Sequence, residues 1–464
     1  MIGSRRLLAV GVVVAALGAG IVADRLDRPS RPVALQAAEP PEGPTMAPAG
    51  AASAAWYCPG GPLARIDQAE VSVALANTTA RPVAARLTAL PATGQADPVE
   101  RRVEVPALGS TTVRLNELLG GTTPAGASIV GPGGLVAQQA IKTPEGSAVG
   151  PCASDASDRW FTAAGSTAMG SSLLLSLLNP FPDEAIVSLA FSTDQGRTVP
   201  GDLQGVLVPG RSLRVIDVGD HVRRRDAVSA EVVARRGRVV VGRNLRKGTG
   251  SSTALAAPVA APTWYLPGGV RADGVANRLL LANPSDQDAE VSVEVRLAEG
   301  AAVEPFAITV AAQDRAELNL DDARIPKGVP YALAARSLED VPIVVERSIE
   351  AKAGRSDVLG GRAPDRAWVA AAGGSGQDGL AIYNAGDGLA EVTVTPLDGE
   401  GVPLPGELLR IEPGVRGSLR LDDKVAAKGN AVLVESNQLL VVERGGGEAA
   451  PAQGGTLAVA LGRR

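Results

Sequence analysis

The residues that could do chemistry in this chain are few and mostly solitary. His221 is the only histidine, and it lies in the charged run 220–225, Asp-His-Val-Arg-Arg-Arg. Acid–base catalysis by histidine usually needs an orienting carboxylate and a nucleophile, and Asp217 and Asp220 supply only the carboxylate. No Gly-x-Ser-x-Gly motif and no metal-ligand spacing of histidines is present. We therefore interpret His221 as a loop residue in a solvated turn, and we expect no enzyme, no cofactor and no metal site.

Two kinds of polar residue recur at regular places and invite a metal interpretation. An acid follows the fifth predicted strand of each of four units, and an asparagine ends the second. A calcium site needs about six converging oxygen ligands, and one or two carboxylates per unit do not reach that number. We interpret both sets as capping and turn residues. They are Glu117, Asp217, Asp322 and Asp423, and Asn77, Asn179, Asn283 and Asn384.

Four tryptophans define a tandem repeat. Each lies 104 residues after the one before, at Trp56, Trp160, Trp264 and Trp368. A tryptophan that recurs once per unit, in a chain with only 3% aromatic residues, is typical of a core residue. The alternative is a set of stacking platforms for sugar rings, as in carbohydrate-binding sandwiches.

The strand pattern within each unit predicts an antiparallel β-sandwich. In the third unit Val291, Val293 and Val295 alternate with polar residues, which is the period of a strand with one buried face. Seven or eight short strands per hundred residues, separated by turn signals, are typical of a sandwich. We expect an all-β chain of four tandem immunoglobulin-like modules, in architecture only, over residues 56–155, 158–259, 262–363 and 366–464. The alternative is one β-propeller, which the 104-residue repeat disfavours because no half-repeat of blade length is visible. Links of a few residues predict that the modules abut in a stiff rod or a closed arc.

The N-terminal region predicts export. Arg5 and Arg6 precede an apolar run over residues 7–23, so residues 1–23 form either an uncleaved signal-anchor with its N-terminus inside or a cleaved signal peptide. Residues 24–55 are rich in Pro and Ala and predict an extended tether. We expect the rest of the chain to lie outside the cytoplasm, anchored by a single membrane pass or secreted. The only cysteines, Cys58 and Cys152, then form a disulfide, which closes a long loop and contributes roughly 4–5 kcal/mol.

The charge distribution excludes one class of partner and leaves another open. The net charge is −5 with both signs interspersed, so we expect no nucleic acid as a primary partner. Arginines cluster at 223–225 and 235–238, where a basic loop could meet an anionic wall polymer.

Short motifs in the chain resemble an actinobacterial, envelope-associated family known as domain of unknown function 5719. They are the Trp-Tyr-Cys-Pro opening at 56–59, the Asn-Pro-Ser turn at 283–285 and the Val-Val-Glu-Arg strand end at 344–347. The composition, rich in Ala, Gly, Val and Arg, suits such an organism. The resemblance covers most of residues 56–463. It implies location and architecture, and it carries no catalytic residue.

These observations lead to two functional hypotheses. The first is a non-enzymatic envelope protein that acts as a scaffold or protein-interaction surface. The second is a glycan-binding accessory protein of cell-wall or exopolysaccharide assembly. Buried tryptophans favour the first, and a row of exposed aromatic side chains would favour the second.

Overall fold

A computed structural model describes most of the chain after residue 42. The described residues are 43–61, 69–121, 124–143, 146–248, 250–298, 302–352, 354–370, 379–399, 409–421, 430–445 and 455–462. Almost all regular structure in these ranges is β-strand, and the helical segments are the single turns Leu115–Leu118, Gly201–Leu203 and Val218–His221. The predicted all-β class is confirmed. The predicted anchor at residues 1–23 lies outside the described residues.

The first module is a sandwich of two four-stranded antiparallel sheets. Its strands are β1 (Ala54–Cys58), β2 (Glu70–Asn77), β3 (Val83–Pro91), β4 (Val99–Val105), β5 (Ser110–Arg114), β6 (Ala125–Gly131), β7 (Leu135–Thr143) and β8 (Gly146–Pro151). One sheet has the order β1-β6-β3-β4 and the other β5-β2-β7-β8. Consecutive strands are thus divided between two sheets, which is the pattern of a sandwich and not of a propeller blade.

The second and third modules repeat these two strand orders. The second contains β9 (Arg159–Thr162), β10 (Ser171–Asn179), β11 (Ala185–Thr193), β12 (Gly196–Thr198), β13 (Gln204–Val208), β14 (Ser212–Asp217), β15 (Val228–Arg236), β16 (Val240–Lys247) and β17 (Gly250–Leu255). The third contains β18 (Thr263–Val270), β19 (Val275–Ala282), β20 (Ala289–Leu297), β21 (Phe306–Val310), β22 (Arg315–Asn319), β23 (Pro330–Ser337), β24 (Val344–Ala351) and β25 (Gly354–Leu359). The short β12 has no counterpart in the first and third modules.

The fourth module keeps the pattern but merges two strands. It contains β26 (Asp365–Ala370), β27 (Gly379–Asn384), β28 (Ala390–Leu397), β29 (Leu409–Ile411), β30 (Arg416–Arg420), β31 (Ala431–Gly445), β32 (Thr456–Leu457) and β33 (Val459–Ala460). The first part of β31 pairs with β26 and β28, and its last part pairs with β27 and β32. In the third module the turn over residues 338–343 separates the corresponding β23 and β24. One continuous strand therefore passes from the first sheet of the fourth module into the second.

Each tryptophan fills the core of its own module. The four side chains are 1–2% exposed, and each belongs to a different hydrophobic cluster. Each indole Nε1 donates a hydrogen bond of 2.8–2.9 Å to a backbone carbonyl, which lies at the start of β7, just before β16 and β24, and within β31. The acceptors are Leu135, Val239, Ile343 and Leu440. A buried indole with its N–H satisfied matches the core interpretation.

Each asparagine at the end of a second strand fixes the following turn. In the third module Asn283 Nδ2 donates to Gln287 O at 2.7 Å and Val310 O at 3.0 Å, and its Oδ1 accepts from Ser285 N at 3.0 Å. Asn77, Asn179 and Asn384 make the corresponding bonds. All four are at most 2% exposed. They are turn residues, as expected.

The modules contact one another in cyclic order, and the fourth packs against the first. β8 and its equivalents β17, β25 and β32, here called the eighth strands, contact one another in turn. β8 meets β17, β17 meets β25, β25 meets β32, and β32 meets β8. The residue after each tryptophan packs against the core of the next module. These residues are Tyr57, Phe161 and Tyr265, and Val369, which belongs to the core of the first module. The contacts agree with the closed arc and not with a linear rod, which would leave the first and last modules apart.

The segment before the first tryptophan completes the contact between the fourth and first modules. Met46 is 5% exposed and lies in a cluster with Val459 and Leu461, and Met46 N donates to Ala460 O at 2.8 Å. Ala47 O accepts from Gly134 N at 3.0 Å. The prediction of an extended tether over residues 24–55 is therefore wrong for its described part. This part docks because Met46 supplies an apolar side chain, and one such residue does not alter the Pro- and Ala-rich composition on which the prediction was based.

Candidate functional site

The most concentrated polar chemistry of the described residues lies inside the molecule, on β7 and the equivalent strands β16, β24 and β31 of the other modules. Two neighbouring positions of this strand hold Gln138-Gln139, Gly242-Arg243, Glu346-Arg347 and Glu443-Arg444. The charged side chains among them are at most 4% exposed. Charges at strand ends are exposed by default, but Glu346-Arg347 and Glu443-Arg444 are buried. β16, β24 and β31 each have a hydrogen-bonded neighbour on both sides, a context in which an embedded charge must find a partner.

The partner is supplied across a junction between modules. Arg347 of the third module forms a two-pronged ion pair with Glu443 of the fourth, with Nη1–Oε2 at 3.0 Å and Nη2–Oε1 at 2.5 Å. Glu443 Oε2 also accepts from Gly268 N at 3.1 Å. On the same junction Arg416 Nε donates to Pro267 O at 3.1 Å, and the rings of Tyr265 and Tyr383 stack at 5.7 Å.

The junction between the second and third modules repeats this pair one module earlier. Arg243 Nη2 donates to Glu346 Oε2 at 2.8 Å. Glu346 Oε1 accepts from Ala163 N at 2.7 Å and Ala164 N at 3.3 Å, so the carboxylate receives backbone donors as well as the guanidinium. Each ion pair therefore joins the arginine of one module to the glutamate of the next.

A second carboxylate extends the network towards the eighth strands. Asp357 on β25 is 1% exposed and accepts from Arg355 at 2.7 and 2.8 Å and from the hydroxyl of Ser252 on β17. Arg243 Nη1 lies 3.7 Å from Asp357 Oδ2. Arg355 also donates to Glu350 at 3.0 Å. Two acids and two arginines are thus enclosed at one junction.

The two buried acids of this junction differ in pKa because they differ in cationic neighbours. Burial raises the pKa of Glu346 above its usual value, and Arg243 and the two backbone N–H groups offset this only in part. Burial acts in the same direction on Asp357, but Arg355 and Arg243 outweigh it and hold the pKa of this carboxyl well below its usual range. Asp357 is therefore firmly ionised at neutral pH.

The junction between the first and second modules is made differently. Gly242 stands where the later modules have glutamate, and a side chain there would meet the ring of Pro59 at 2.7 Å. Gln139, in the place of the arginine, accepts from Gly60 N at 2.6 Å within its own module. Ser176 and Asn244 donate to Gly60 O at 3.3 and 3.1 Å. Neutral hydrogen bonds and close packing replace the ion pair at this junction.

The buried network joins neighbouring modules. Arg347 and Glu443 pair with one another and are at most 5% exposed in their side chains, so the pair is closed off from solvent. A buried pair is costly to break because the remaining charge stays desolvated. The network therefore links neighbouring modules at two junctions.

The other residues singled out in the sequence lie outside this network and have their own contacts. His221 Nδ1 lies 2.7 Å from Asp202 Oδ2, a carboxylate that the sequence reading did not consider, and not from Asp217 or Asp220. Asp217 accepts from Gly219 N and caps a helical turn. Glu117 and Asp322 pair with Arg114 and Arg324 in exposed ion pairs. Asp423 lies outside the described residues, and among the described ones no group of three acidic, histidine or cysteine side chains could hold a metal ion.

The first module contains the predicted disulfide, between Cys58 at the end of β1 and Cys152 just after β8. Disulfides persist in oxidising compartments, so this bond suggests an extracytoplasmic location. No helix within the described residues is long and apolar enough to cross a membrane.

The aromatic side chains form no exposed row. All twelve Trp, Tyr and Phe residues of the chain fall within the described residues, and none of them is exposed. Tyr57, for example, meets Phe181 of the second module at a ring distance of 6.2 Å. The aromatic residues are used within modules and at their junctions.

The two arginine clusters lie at opposite ends of one strand. Residues 223–225 precede β15, and residues 235–238 end it and form the following turn. The seven strand residues 228–234 separate the clusters by roughly 23 Å. Arg236 is paired with Glu184 at 3.2 Å. The clusters are thus two small basic sites and not one patch.

Comparison with known proteins identifies a family and no function. No curated protein matches the chain. The crystal structure of Thermotoga maritima 1070 has 23% identity over 22% of this chain and 93% of that chain, with a TM-score of 0.20. The Anabaena sensory rhodopsin transducer has 26% identity over 18% and 93%, with a TM-score of 0.17. A tetra-tandem repeat from the extending region of a large adhesion protein has 12% identity over 89% and 100%, with a TM-score of 0.13.

These TM-scores are too low to support an argument from structure, whereas the match to a family covers more than half of the chain. The model of the family of unknown function DUF5719 matches residues 127–414, a range that begins in β6 and ends just after β29. It includes the ion pair Arg243–Glu346 and all of the second and third modules. The chain belongs to the family of unknown function DUF5719.

Proposed function

We propose that the chain is a non-enzymatic protein of the cell envelope, in which four sandwich modules form one stiff body that presents loops and edges to other proteins. The observation that carries the proposal is the pair of buried junctions, Arg243–Glu346 and Arg347–Glu443. The arginine and glutamate side chains of these pairs bind one another across a junction and so hold the angle between the modules. A scaffold needs that fixed angle, whereas a chain of loosely linked binding modules does not.

The disulfide supports a location outside the cytoplasm. Cys58 and Cys152 join the first strand of a module to the link that follows its last strand. Such a bond is kept in an oxidising compartment and is rare in a reducing one. Anchoring to a membrane through residues 7–23 is part of the proposal and rests on the sequence alone.

The aromatic side chains favour proteins over glycans as partners. Sugar rings are usually held against an exposed aromatic face, and Trp56, Trp160, Trp264 and Trp368 are all buried. Their indole N–H groups are also already bonded to the backbone. Ligand access to these rings would require a module to open.

Affinity capture compares the two kinds of partner directly. Full-length chain is immobilised and exposed to solubilised membranes and, separately, to purified wall polymer. We expect specific proteins to be retained and the polymer to pass through. The control is the same chain with its disulfide reduced and its modules unfolded, which should retain neither specifically. Retention of the polymer alone would overturn the proposal in favour of a glycan-binding accessory protein.

A further inference from the structure

One sheet of the third module ends in a strand with an open edge. β21 is the last strand of the sheet β18-β23-β20-β21, and among the described residues it pairs with β20 alone. Leu338 N donates to Glu290 O, so the backbone groups of Glu290 are turned towards β23 and away from Thr309 opposite it. The N–H and C=O groups of Thr309, and by alternation those of Ala307, therefore face the open edge.

The equivalent strands of the other modules carry features that protect an edge from pairing with another chain. On β4, Arg101 stands at the position of Phe306 and Arg102 at the next. β13 pairs with β11 through a shift of register, and its Gly205 has a φ of 78°. β29 spans only three residues, one of which is Arg410. β21 has five residues, no charge, no glycine, no proline and no shift of register.

The residues of β21 match a second copy of themselves in antiparallel pairing. With Ile308 on a two-fold axis, Phe306 lies opposite Val310 of the second copy, and Ile308 lies opposite its own equivalent. These three residues face the core, where Phe306 and Val310 are buried and Ile308 is half-buried. On the other face Ala307 lies opposite Thr309 of the second copy, and both are exposed. Apolar residues therefore meet apolar residues, and no charge is enclosed.

The charged side chains that contact β21 do not oppose this pairing. Thr309 Oγ1 donates to Glu290 Oε1 at 2.8 Å. The row of residues that contains Glu290 continues across the edge through uncharged residues of the second copy, so this carboxylate meets no second acid. The guanidinium of Arg324 lies 3.8 Å from the ring centre of Phe306 and has the opposite sign.

We propose that β21 pairs with β21 of a second copy of this chain, antiparallel about a two-fold axis at Ile308, so that two sheets become one continuous sheet. Each of the two pairs of Ala307 with Thr309 then exchanges two backbone hydrogen bonds. Five residues a side bury less surface than a stable dimer needs, so the association depends on concentration. The inference goes beyond the scaffold role and does not depend on it, because the edge is open whether or not the chain binds other proteins.

Sedimentation velocity of the full-length chain in detergent, over a series of concentrations, measures this association. Ala307→Pro removes an N–H group from the open edge and spares the bonds to β20, so it should weaken dimerisation at least tenfold. Ile308→Lys places two ammonium groups opposite each other and should do the same. Arg102→Pro, at the equivalent place on β4, is the matched control and should associate as the parent does. Absence of a dimer in the parent chain at about 100 µM, or unchanged association in a folded edge variant, would overturn the proposal.

Engineered cysteines test the register of the pairing. Ala307→Cys in one chain lies opposite Thr309→Cys in the other, with Cα atoms about 5.5 Å apart, within the range of a disulfide. Like positions lie about 7–8 Å apart and are bridged poorly. A mixture of the two variants should therefore crosslink at least fivefold faster than either variant alone. The control mixture, Arg102→Cys with Glu104→Cys on β4, should show no such preference. Equal rates for the mixture and the separate variants on β21 would place the contact on another surface and contradict the proposal.

Discussion

Buried charges join neighbouring modules at two of the junctions. Arg347 and Glu443 are each enclosed by protein, and each is the other's counter-ion. The strand register brings Glu346 and Glu443 to equivalent positions, so the same solution appears at two successive junctions. Removal of one member of such a pair costs much folding stability, because the other member then remains as a desolvated charge.

Arg347→Met should lower the free energy of unfolding by about 3–5 kcal/mol, since Glu443 would stay buried without its partner. The double variant Arg347→Met/Glu443→Leu should recover most of this loss because no charge is left. Urea unfolding followed by circular dichroism measures both. Arg102→Met is the control: Arg102 pairs with Glu104 on the surface, and its loss should cost less than about 1 kcal/mol. A single variant as stable as this control would contradict the prediction.

Asp357 should make stability fall at acid pH. The pKa of this carboxyl is lower in the folded state than in the unfolded chain, where it is about 3.9, so its contribution is present above that value and is lost as the pH falls through it. Asp357→Asn removes the contribution. The stability difference between parent and variant should therefore be larger at pH 7 than at pH 3, as measured by urea unfolding at both. An equal difference at the two pH values would show that the ionisation of Asp357 does not matter.

Turns and strand ends depend on local residues more than on charges. Asn283→Ala should cost about 1–3 kcal/mol, because the carbonyls of Gln287 and Val310 lose a buried donor and Ser285 N loses its acceptor. Thermal unfolding measures the loss. Thr112→Ala on the exposed side of β5 is the control and should change stability by less than about 0.5 kcal/mol. Equal effects of the two substitutions would remove the special role given to the turn asparagines.

The strands and the turns between them could be predicted well from the sequence because their signals are local. The alternation around Val291 and Val293, the asparagine at each second-strand end and the spacing of the tryptophans all act within a module. The partners of Glu346 and Glu443 could not be predicted in the same way, since each lies on another module. Two signals were available: a charged pair inside an apolar strand, and its recurrence in the next unit.

The part played by residues 43–51 was also beyond the sequence. Met46 sits in a segment whose composition predicts no core, and its contacts are with Val459 and Leu461 at the other end of the chain. A single apolar residue gives no periodicity to read. The contact between Asp202 and His221 could not be predicted for a related reason. Asp202 is 19 residues from His221 along the chain, and the connection between β12 and β13 brings the two together.

At the scale of the whole molecule, shared cores should couple the modules in unfolding. Val369, Leu397 and Ala431 of the fourth module belong to the same cluster as Trp56 of the first. We expect one calorimetric transition whose van't Hoff and calorimetric enthalpies agree, instead of four separate ones. Met46→Asp should lower the transition temperature because it places a charge in that shared cluster, whereas Met169→Asp, at a side chain that is 98% exposed, should not. Several resolved transitions in the parent chain would show that the modules unfold independently.

The cyclic packing has a consequence for how such a chain can change over time. In an assembly of four identical subunits, every substitution appears at all four contacts at once and must suit each of them. Fusion into one polypeptide removes that constraint, so each contact is encoded separately. Gly242 and Gln139 occupy positions where the later copies have Glu346 and Arg347, which is the kind of divergence that independent encoding permits. The number of modules can change less easily than their sequences. A fifth module would have to be inserted into a cycle of contacts that four modules already complete.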